Sequence, residues 1–135
     1  MSLFVDTSAW SLALRRDAPP EQPEVIALAR ALEAGEPIYS TGLVLQELLQ
    51  GFTGPKAPEA ILERFSALPL VTPERQDHIK AAELRNACRR SGIQIGTVDA
   101  LIAQICIRHS FTLLTCDKDF HAVAKQFSLR VWSEK

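Results

Sequence analysis

Short apolar runs alternate along this chain with longer stretches in which apolar residues recur at helical spacing. The short runs predict five buried strands, at residues 3–5, 38–40, 68–71, 112–115 and 129–132. The longer stretches predict a first helix that ends near residue 14, then helices at 21–34, 41–52, 59–67, 74–90, 97–109 and 118–126. Proline and glycine residues separate these elements, as is typical of turns.

Strands that alternate with helices indicate an α/β fold, in which helices cover both faces of a mostly parallel sheet. No repeat, low-complexity stretch or long linker divides the sequence, so we expect a single domain over residues 1–135. In such folds, binding sites gather beyond the carboxyl ends of the strands. The pattern therefore indicates where a site would form, but not its chemistry.

Composition excludes some classes of protein. No apolar run approaches the roughly 20 residues that cross a membrane, and the first residues lack an export signal pattern. Cys88, Cys106 and Cys116 are odd in number and widely spaced, which argues against a disulfide framework or a cysteine zinc site. We therefore expect a cytoplasmic protein without membrane association.

The net charge of −1 does not by itself suggest a nucleic-acid-binding protein. Proteins that hold nucleic acid through bulk electrostatics are usually basic, because phosphate neutralisation supplies much of the affinity. If this chain acts on RNA, local groups and a bound metal ion must provide the attraction.

Four of the six aspartates lie at predicted strand ends or helix starts. Asp6 directly follows the first strand, Asp117 and Asp119 follow the strand at 112–115, and Asp99 falls in the first turn of a helix. Aspartate is also a favoured helix cap, so each residue taken alone is equally compatible with a structural role. For Asp119, which lies inside its helix, the structural interpretation leads.

Glu47 is an acidic residue in the middle of the amphipathic helix predicted at 41–52. At about 100° per residue, it falls at the border of the apolar sector, beside Gly51. A glutamate at such a border is usually only solvated, but a small neighbour leaves room for a ligand beside its carboxylate.

Converging carboxylates repel one another and stay ionised together only when a cation neutralises them. Oxygen ligands without histidine or cysteine favour Mg²⁺ or Mn²⁺ over zinc. Such a site suits the hydrolysis of phosphodiester bonds, with one metal ion or with two. Spacing alone does not establish that these side chains converge.

Four segments together resemble the PIN-domain nucleases. They are residues 5–10 (VDTSAW), residues 45–48 (LQEL) with Gly51, residues 96–103 (GTVDALIA) and residues 114–120 (LTCDKDF). Each segment alone is a weak pattern, but their order and spacing match the family over nearly the whole chain. Chains of this size most resemble the VapC toxins of type II toxin–antitoxin pairs.

The resemblance implies a PIN-like three-layer α/β/α sandwich with a central, mostly parallel sheet. It also implies Mg²⁺- or Mn²⁺-dependent endoribonuclease activity on an RNA substrate, homodimerisation, and inhibition by a cognate VapB-type antitoxin.

The same resemblance implies roles for individual residues. Asp6, Glu47 and Asp99 match the three core acidic positions, and Asp117 matches the fourth, so all four are candidate catalytic residues and metal ligands. Asp6 and Asp99 match the primary metal ligands, whereas Glu47 either binds the metal or orients the attacking water.

Three further residues receive weaker assignments. Ser8 stands where the family often has a small hydroxyl residue, which could hold Asp6 or a metal-bound water. Asp119 is expected to be an outer or capping residue, and Thr7 a structural one.

The remaining polar residues match no motif. Of the histidines His78, His109 and His121, only His121 is close enough to Asp117 in sequence to touch substrate, and it is expected at the surface. Trp10 and Trp132 are expected in packing or interfaces. Solvated charge is the default role for the cations that could also contact phosphates: Arg15, Arg16, Arg85, Arg89, Arg90 and Lys118.

Several alternatives remain open. A phosphatase with Asp6 as nucleophile is disfavoured, because the second aspartate it needs is replaced by Ser8. A structure-specific DNA nuclease would need additional helical elements. A PIN-fold nuclease outside a toxin–antitoxin pair and a non-catalytic interaction module are the remaining possibilities.

Overall fold

The expected alternation of strands and helices is present in the computed structural model, which describes residues 1–15 and 21–134. The strands are β1 (Leu3–Val5), β2 (Ile38–Tyr39), β3 (Thr112–Leu114) and β4 (Arg130–Val131). The helices are α1 (Thr7–Leu14), α2 (Pro23–Ala34), α3 (Gly42–Gly51), α4 (Ala57–Ser66), α5 (Arg75–Arg90), α6 (Thr97–His109) and α7 (Lys118–Ala124).

The four strands form one parallel sheet in the order β2-β1-β3-β4. Leu3 pairs with Thr112 and Val5 pairs with Leu114, so β1 and β3 end level with each other. Leu3, Phe4 and Val5 are all buried, which explains why this strand is an uninterrupted apolar run. Because all strands run the same way, their carboxyl ends meet at one edge of the sheet.

The strand predicted at residues 68–71 is wrong in extent. This segment contributes a single parallel bridge, from Leu70 to Ser40, at the β2 edge of the sheet. The Ser40 amide donates to the Pro69 carbonyl and the Val71 amide donates to the Ser40 carbonyl. Pro69 has no N–H to extend the ladder, so a regular strand does not form there.

The helices complete the three-layer α/β/α sandwich. Helix α1 contacts α2 and α3, α3 contacts α4, and α5 packs along α6. Residues 100–106 of α6 are all buried, so this helix lies in the interior rather than presenting one apolar face. No helix in the described ranges is long and apolar enough to cross a membrane.

A buried ion pair joins α5 to α6. Asp77 is 1% exposed, and Arg108 donates to both of its carboxylate oxygens, each at 2.8 Å. Burial alone raises the pKa of Asp77. Hydrogen bonds from the Glu74 amide, Arg108 and Gln104, with the Arg108 charge, outweigh burial and hold that pKa below its ordinary value of 3.8.

Removing Arg108 should destabilise the fold. An Arg108→Met variant keeps most of the side-chain volume but leaves Asp77 buried without its cation, so we expect the free energy of unfolding to fall by about 2–3 kcal/mol. Urea denaturation at pH 7 measures this loss. The contribution should be present above about pH 4 and disappear as the pH falls below 3.8, because the folded pKa of Asp77 is lowered.

The control is Arg90→Met, which removes an exposed arginine from α5, the helix that carries Asp77. This control should change the free energy of unfolding by less than about 0.5 kcal/mol. An equal loss in the two variants would show that the pair between Asp77 and Arg108 does not stabilise the fold.

Candidate active site

Asp6 lies directly after β1 and is the N-terminal cap of α1. Its side chain is 4% exposed, and both carboxylate oxygens accept hydrogen bonds. Oδ1 accepts from the Ser8 hydroxyl at 2.8 Å and from the Ala9 amide at 3.1 Å, and Oδ2 accepts from the Thr115 hydroxyl at 2.6 Å. Asp6 is therefore a helix cap, as the structural alternative predicted, but the cap hydrogen bond to the Ala9 amide uses only Oδ1.

Ser8 and Thr115 connect the ends of the two central strands. The Ser8 hydroxyl accepts from the Cys116 amide at 2.9 Å, and the Thr115 hydroxyl accepts from the Asp117 amide at 3.0 Å. The contact that was expected between Ser8 and Asp6 is present. Sequence reasoning missed Thr115, whose only signal was its position: Val5 pairs with Leu114, so the next residue on each strand meets the other.

Glu47 projects from the middle of α3 and is exposed. It accepts a hydrogen bond at Oε1 from the hydroxyl of Thr7, the first residue of α1. Thr7 was expected to be purely structural, whereas it contacts one of the candidate carboxylates. Packing of α1 on α3 creates this contact, and no sequence motif records it.

Asp99 is the third residue of α6, and Gly96 occupies the cap position of this helix. Burial is the main cause that raises the pKa of Asp99 to about 6, and the remainder of the rise comes from nearby negative charges, which in decreasing order are those of Asp117, Asp6, Glu47 and Asp119. The four candidate carboxylates and Asp119 therefore share one region of electrostatic influence. We call these five residues the acidic cluster.

Asp117 and Asp119 lie at the start of α7. Asp117 is the N-terminal cap of α7 and accepts from the Asp119 amide at 2.9 Å. Asp119 was expected to be an outer or capping residue. It is not the cap, and its carboxylate is exposed at the rim of the cluster.

Asp6 is also affected by its neighbours. Burial raises the pKa of Asp6, hydrogen bonds from Thr115, Ser8 and Ala9 oppose that rise, and the charge of Asp117 adds to it. Cys116 lies in the same loop, but burial, with the charges of Glu24 and Asp6, raises the pKa of its thiol to about 11. Cys116 is therefore neutral at physiological pH and poorly suited to act as a nucleophile.

The donor set fits a hydrated divalent cation. All five side chains offer hard carboxylate oxygens, and the charges of the other four contribute, after burial, to the raised pKa of Asp99, a repulsion that a cation would relieve. Within residues 1–15 and 21–134, no three Asp, Glu, His or Cys side chains form a ready metal cage. Mg²⁺ does not need one, because it keeps several waters and binds through one or two carboxylates.

The other candidate residues lie elsewhere. His121 is exposed in the last turn of α7, and His109 stacks on Phe111 with ring centroids 5.1 Å apart. Trp10 is buried against Phe65 with ring centroids at 5.2 Å, as its predicted packing role requires.

An apolar cavity of about 740 Å³ lies between the start of α3, the segment at 70–73, and helices α5 and α6. His78 lines this cavity, but none of the acidic cluster does. The apolar cavity is therefore separate from the carboxylate chemistry.

Comparison with known proteins identifies the class to which this fold and cluster belong. The model of the PIN domain matches residues 3–126, so the chain belongs to the PIN domain family. The resemblance seen in the four sequence segments is thereby confirmed.

Individual relatives are consistent with that assignment. The chain is 28% identical over 133 residues to Ribonuclease VapC11 of Mycobacterium tuberculosis, covering 97% of this chain and 98% of the relative. The VapC ribonuclease Mb1587 of Mycobacterium bovis matches to the same extent.

Solved structures share the fold. VapBC2 from Rickettsia felis, bound to a DNA fragment from its promoter, has a TM-score of 0.75 at 21% identity, with 98% of both chains covered. VapC20 of Mycobacterium tuberculosis, described as a toxin that cleaves the sarcin–ricin loop, has a TM-score of 0.69 at 22% identity, with 99% of this chain and 98% of that chain covered.

The raised pKa of Asp99 predicts a stability that depends on pH when no divalent cation is present. The folded pKa is about 6 and the ordinary value is 3.8, so the folded state favours the protonated form. The contribution of protonated Asp99 to the free energy of unfolding is fully present below about pH 3.8 and is lost as the pH rises through 6. With allowance for solvent screening, the loss should be about 1–2 kcal/mol.

Denaturation of wild type and Asp99→Asn in EDTA, between pH 4 and pH 7.5, measures this effect. The difference in unfolding free energy between the two proteins should change across that range in favour of Asp99→Asn. If the unfolding free energies of the two proteins instead changed in parallel with pH, the pKa of Asp99 would not be raised in the folded state.

Proposed function

We propose that this chain is a metal-dependent endoribonuclease that acts as the toxin of a toxin–antitoxin pair. The observation that carries the proposal is the acidic cluster at the carboxyl ends of β1 and β3, with Asp99 held half-buried among four other carboxylates. A scaffold without catalytic function has no need to keep mutually repelling groups together. Relatives named as ribonucleases support the same activity.

Asp6 and Asp99 would hold the cation, with Asp117 completing the site or acting through water. When bound, Mg²⁺ or Mn²⁺ lowers the pKa of a water and stabilises the charge that develops on the phosphate. Ser8, Ala9 and Thr115 fix the orientation of the Asp6 side chain without a ligand, because they donate hydrogen bonds to both of its carboxylate oxygens.

Glu47 is the candidate for handling the proton of the attacking water. The Thr7 hydroxyl donates to Oε1 of Glu47, so the proton would be accepted at Oε2. In the described part of the chain, Oε2 has no hydrogen-bond partner. Glu47 is exposed and can reach a substrate at the surface of the cluster. Because α3 carries Glu47 and α1 carries Thr7, helix packing determines where this base lies.

We further propose that the partner is a VapB-type antitoxin and that the chain forms a homodimer. Solved VapBC complexes with the same fold support the antitoxin. Excess negative charge in the acidic cluster would attract a basic side chain of the antitoxin, which would then compete with the metal ion. The homodimer stays a prediction from the family resemblance.

Removing single carboxylates tests the assigned roles. Asp6→Asn and Asp99→Asn keep the side-chain volume but remove a ligand charge, so each should reduce RNA cleavage in Mg²⁺ or Mn²⁺ by at least about 100-fold. The matched control Asp119→Asn makes the same change at the rim and should cost less than about 10-fold. Single-turnover cleavage of total cellular RNA provides the rates.

Two results would contradict these assignments. Wild-type cleavage rates in either Asp6→Asn or Asp99→Asn would remove that residue from the metal site. A wild-type protein that shows no saturable dependence on Mg²⁺ or Mn²⁺ would instead support the non-catalytic interaction module.

Inhibition by the antitoxin is tested by co-expression with a VapB-type protein from the same genome, and a small basic-tailed protein encoded immediately upstream would be the first candidate. The purified pair should cleave RNA at least about 10-fold more slowly than the free chain, and excess Mn²⁺ should partly restore cleavage, because cation and basic side chain compete for the same carboxylates. Full nuclease activity of the stable pair would contradict this proposal.

A further inference from the structure

A second, polar cavity of about 620 Å³ lies beside the acidic cluster. Its lining consists of Arg85 and Arg89 of α5, residues 92–96 and Asp119. We call this cavity the arginine groove. Arg85 and Arg89 are its only cationic lining residues in the described part of the chain.

Local geometry orients the two arginines. Arg85 is half-buried and donates from Nε to the carbonyl of Ile95, another lining residue, at 2.8 Å, which restrains its guanidinium group. Arg89 is exposed one helical turn later, so it projects from the same face of α5. In residues 1–15 and 21–134, no ion pair is found for either arginine, so both charges remain available to an anion.

The arginine groove continues into the acidic cluster. Asp119 lines the groove, and its charge also reaches Asp99. Gly96 lines the groove as well and is the cap residue of α6, three positions before Asp99. A chain molecule lying in the groove would therefore pass directly to the candidate catalytic carboxylates.

Charge complementarity identifies the occupant. A polynucleotide with one phosphate at the acidic cluster must place its neighbouring phosphates nearby, where uncompensated carboxylates would repel them. The overall charge of −1 offers no general attraction, so a local pair of guanidinium groups has to supply it. Arg85 and Arg89 supply that charge next to the cluster.

We propose that the arginine groove binds the backbone phosphates that flank the scissile bond of a single-stranded RNA segment, with Arg85 and Arg89 as positioning residues. This inference rests on the ribonuclease function proposed above. It extends that function by giving the RNA strand a path, from the acidic cluster past Asp119 and along the last turns of α5.

Arg89 is the residue to test, because substitution of Arg85 would also remove its hydrogen bond to the Ile95 carbonyl. Arg89→Gln removes one positive charge from the groove. Arg90→Gln is a matched control: it removes the same charge from the next residue, which lines a different groove with Lys80 and Lys125. Arg89→Lys keeps the charge and tests for rescue.

Binding is measured in the Asp99→Asn background, so that the probe stays intact. The probe is a fluorescein-labelled, mixed-sequence, single-stranded oligoribonucleotide. We expect Arg89→Gln to weaken binding about 3- to 10-fold and to lower the slope of log affinity against log salt by about 0.7, the value for one phosphate contact on a single strand. Arg90→Gln should change affinity less than 2-fold, and Arg89→Lys should recover most of the loss.

Cleavage by the otherwise wild-type chain separates this inference from the proposed function. Arg89→Gln should raise KM for RNA more than it lowers kcat, since it removes binding that is present before the chemical step. Equal affinity and salt slope for Arg89→Gln and Arg90→Gln would overturn the arginine groove while leaving cleavage intact. Absence of cleavage in wild type, with Arg89-dependent binding retained, would instead reject the nuclease and keep the groove.

Discussion

The local structure of the candidate active site depends on the hydrogen bonds that Ser8, Ala9 and Thr115 donate to Asp6. They satisfy a carboxylate that is almost fully buried, they cap α1, and they join the ends of β1 and β3. A buried acid without such partners would be expelled or protonated, because burial disfavours its charged form. The same contacts therefore stabilise the strand ends and orient the residue proposed as a metal ligand.

Mutual repulsion is the second constraint on this edge of the sheet. Parallel strands place their carboxyl ends together, and the beginning of α6 adds Asp99 to the same place. Burial and, to a smaller extent, this repulsion raise the pKa of Asp99. In the proposed function a bound divalent ion would relieve the repulsion, since the groups that repel one another would all attract it.

A nearly neutral chain can act on RNA only if its charges are arranged locally. The acidic cluster and the arginine groove meet at Asp119, so opposite charges adjoin within a short stretch of surface. In the functions proposed for them, the carboxylates would attract the cation or a basic side chain of an inhibitor, and the guanidinium groups would attract phosphate. The net charge of −1 conceals this division, because it sums 15 basic and 16 acidic side chains over the whole sequence.

The sequence by itself determined the order of elements, the parallel α/β class and four acidic candidates, because buried strands and amphipathic helices have distinct periods and strand ends have a known place. The apolar run at 68–71 predicted a full strand. In the structure this segment forms a single β-bridge, because Pro69 has no N–H to extend the ladder. It also missed Thr115 and the contact of Thr7 with Glu47. Only the tertiary structure decided these contacts, because register and helix packing join residues 40 to 109 positions apart, and no local pattern contains that information.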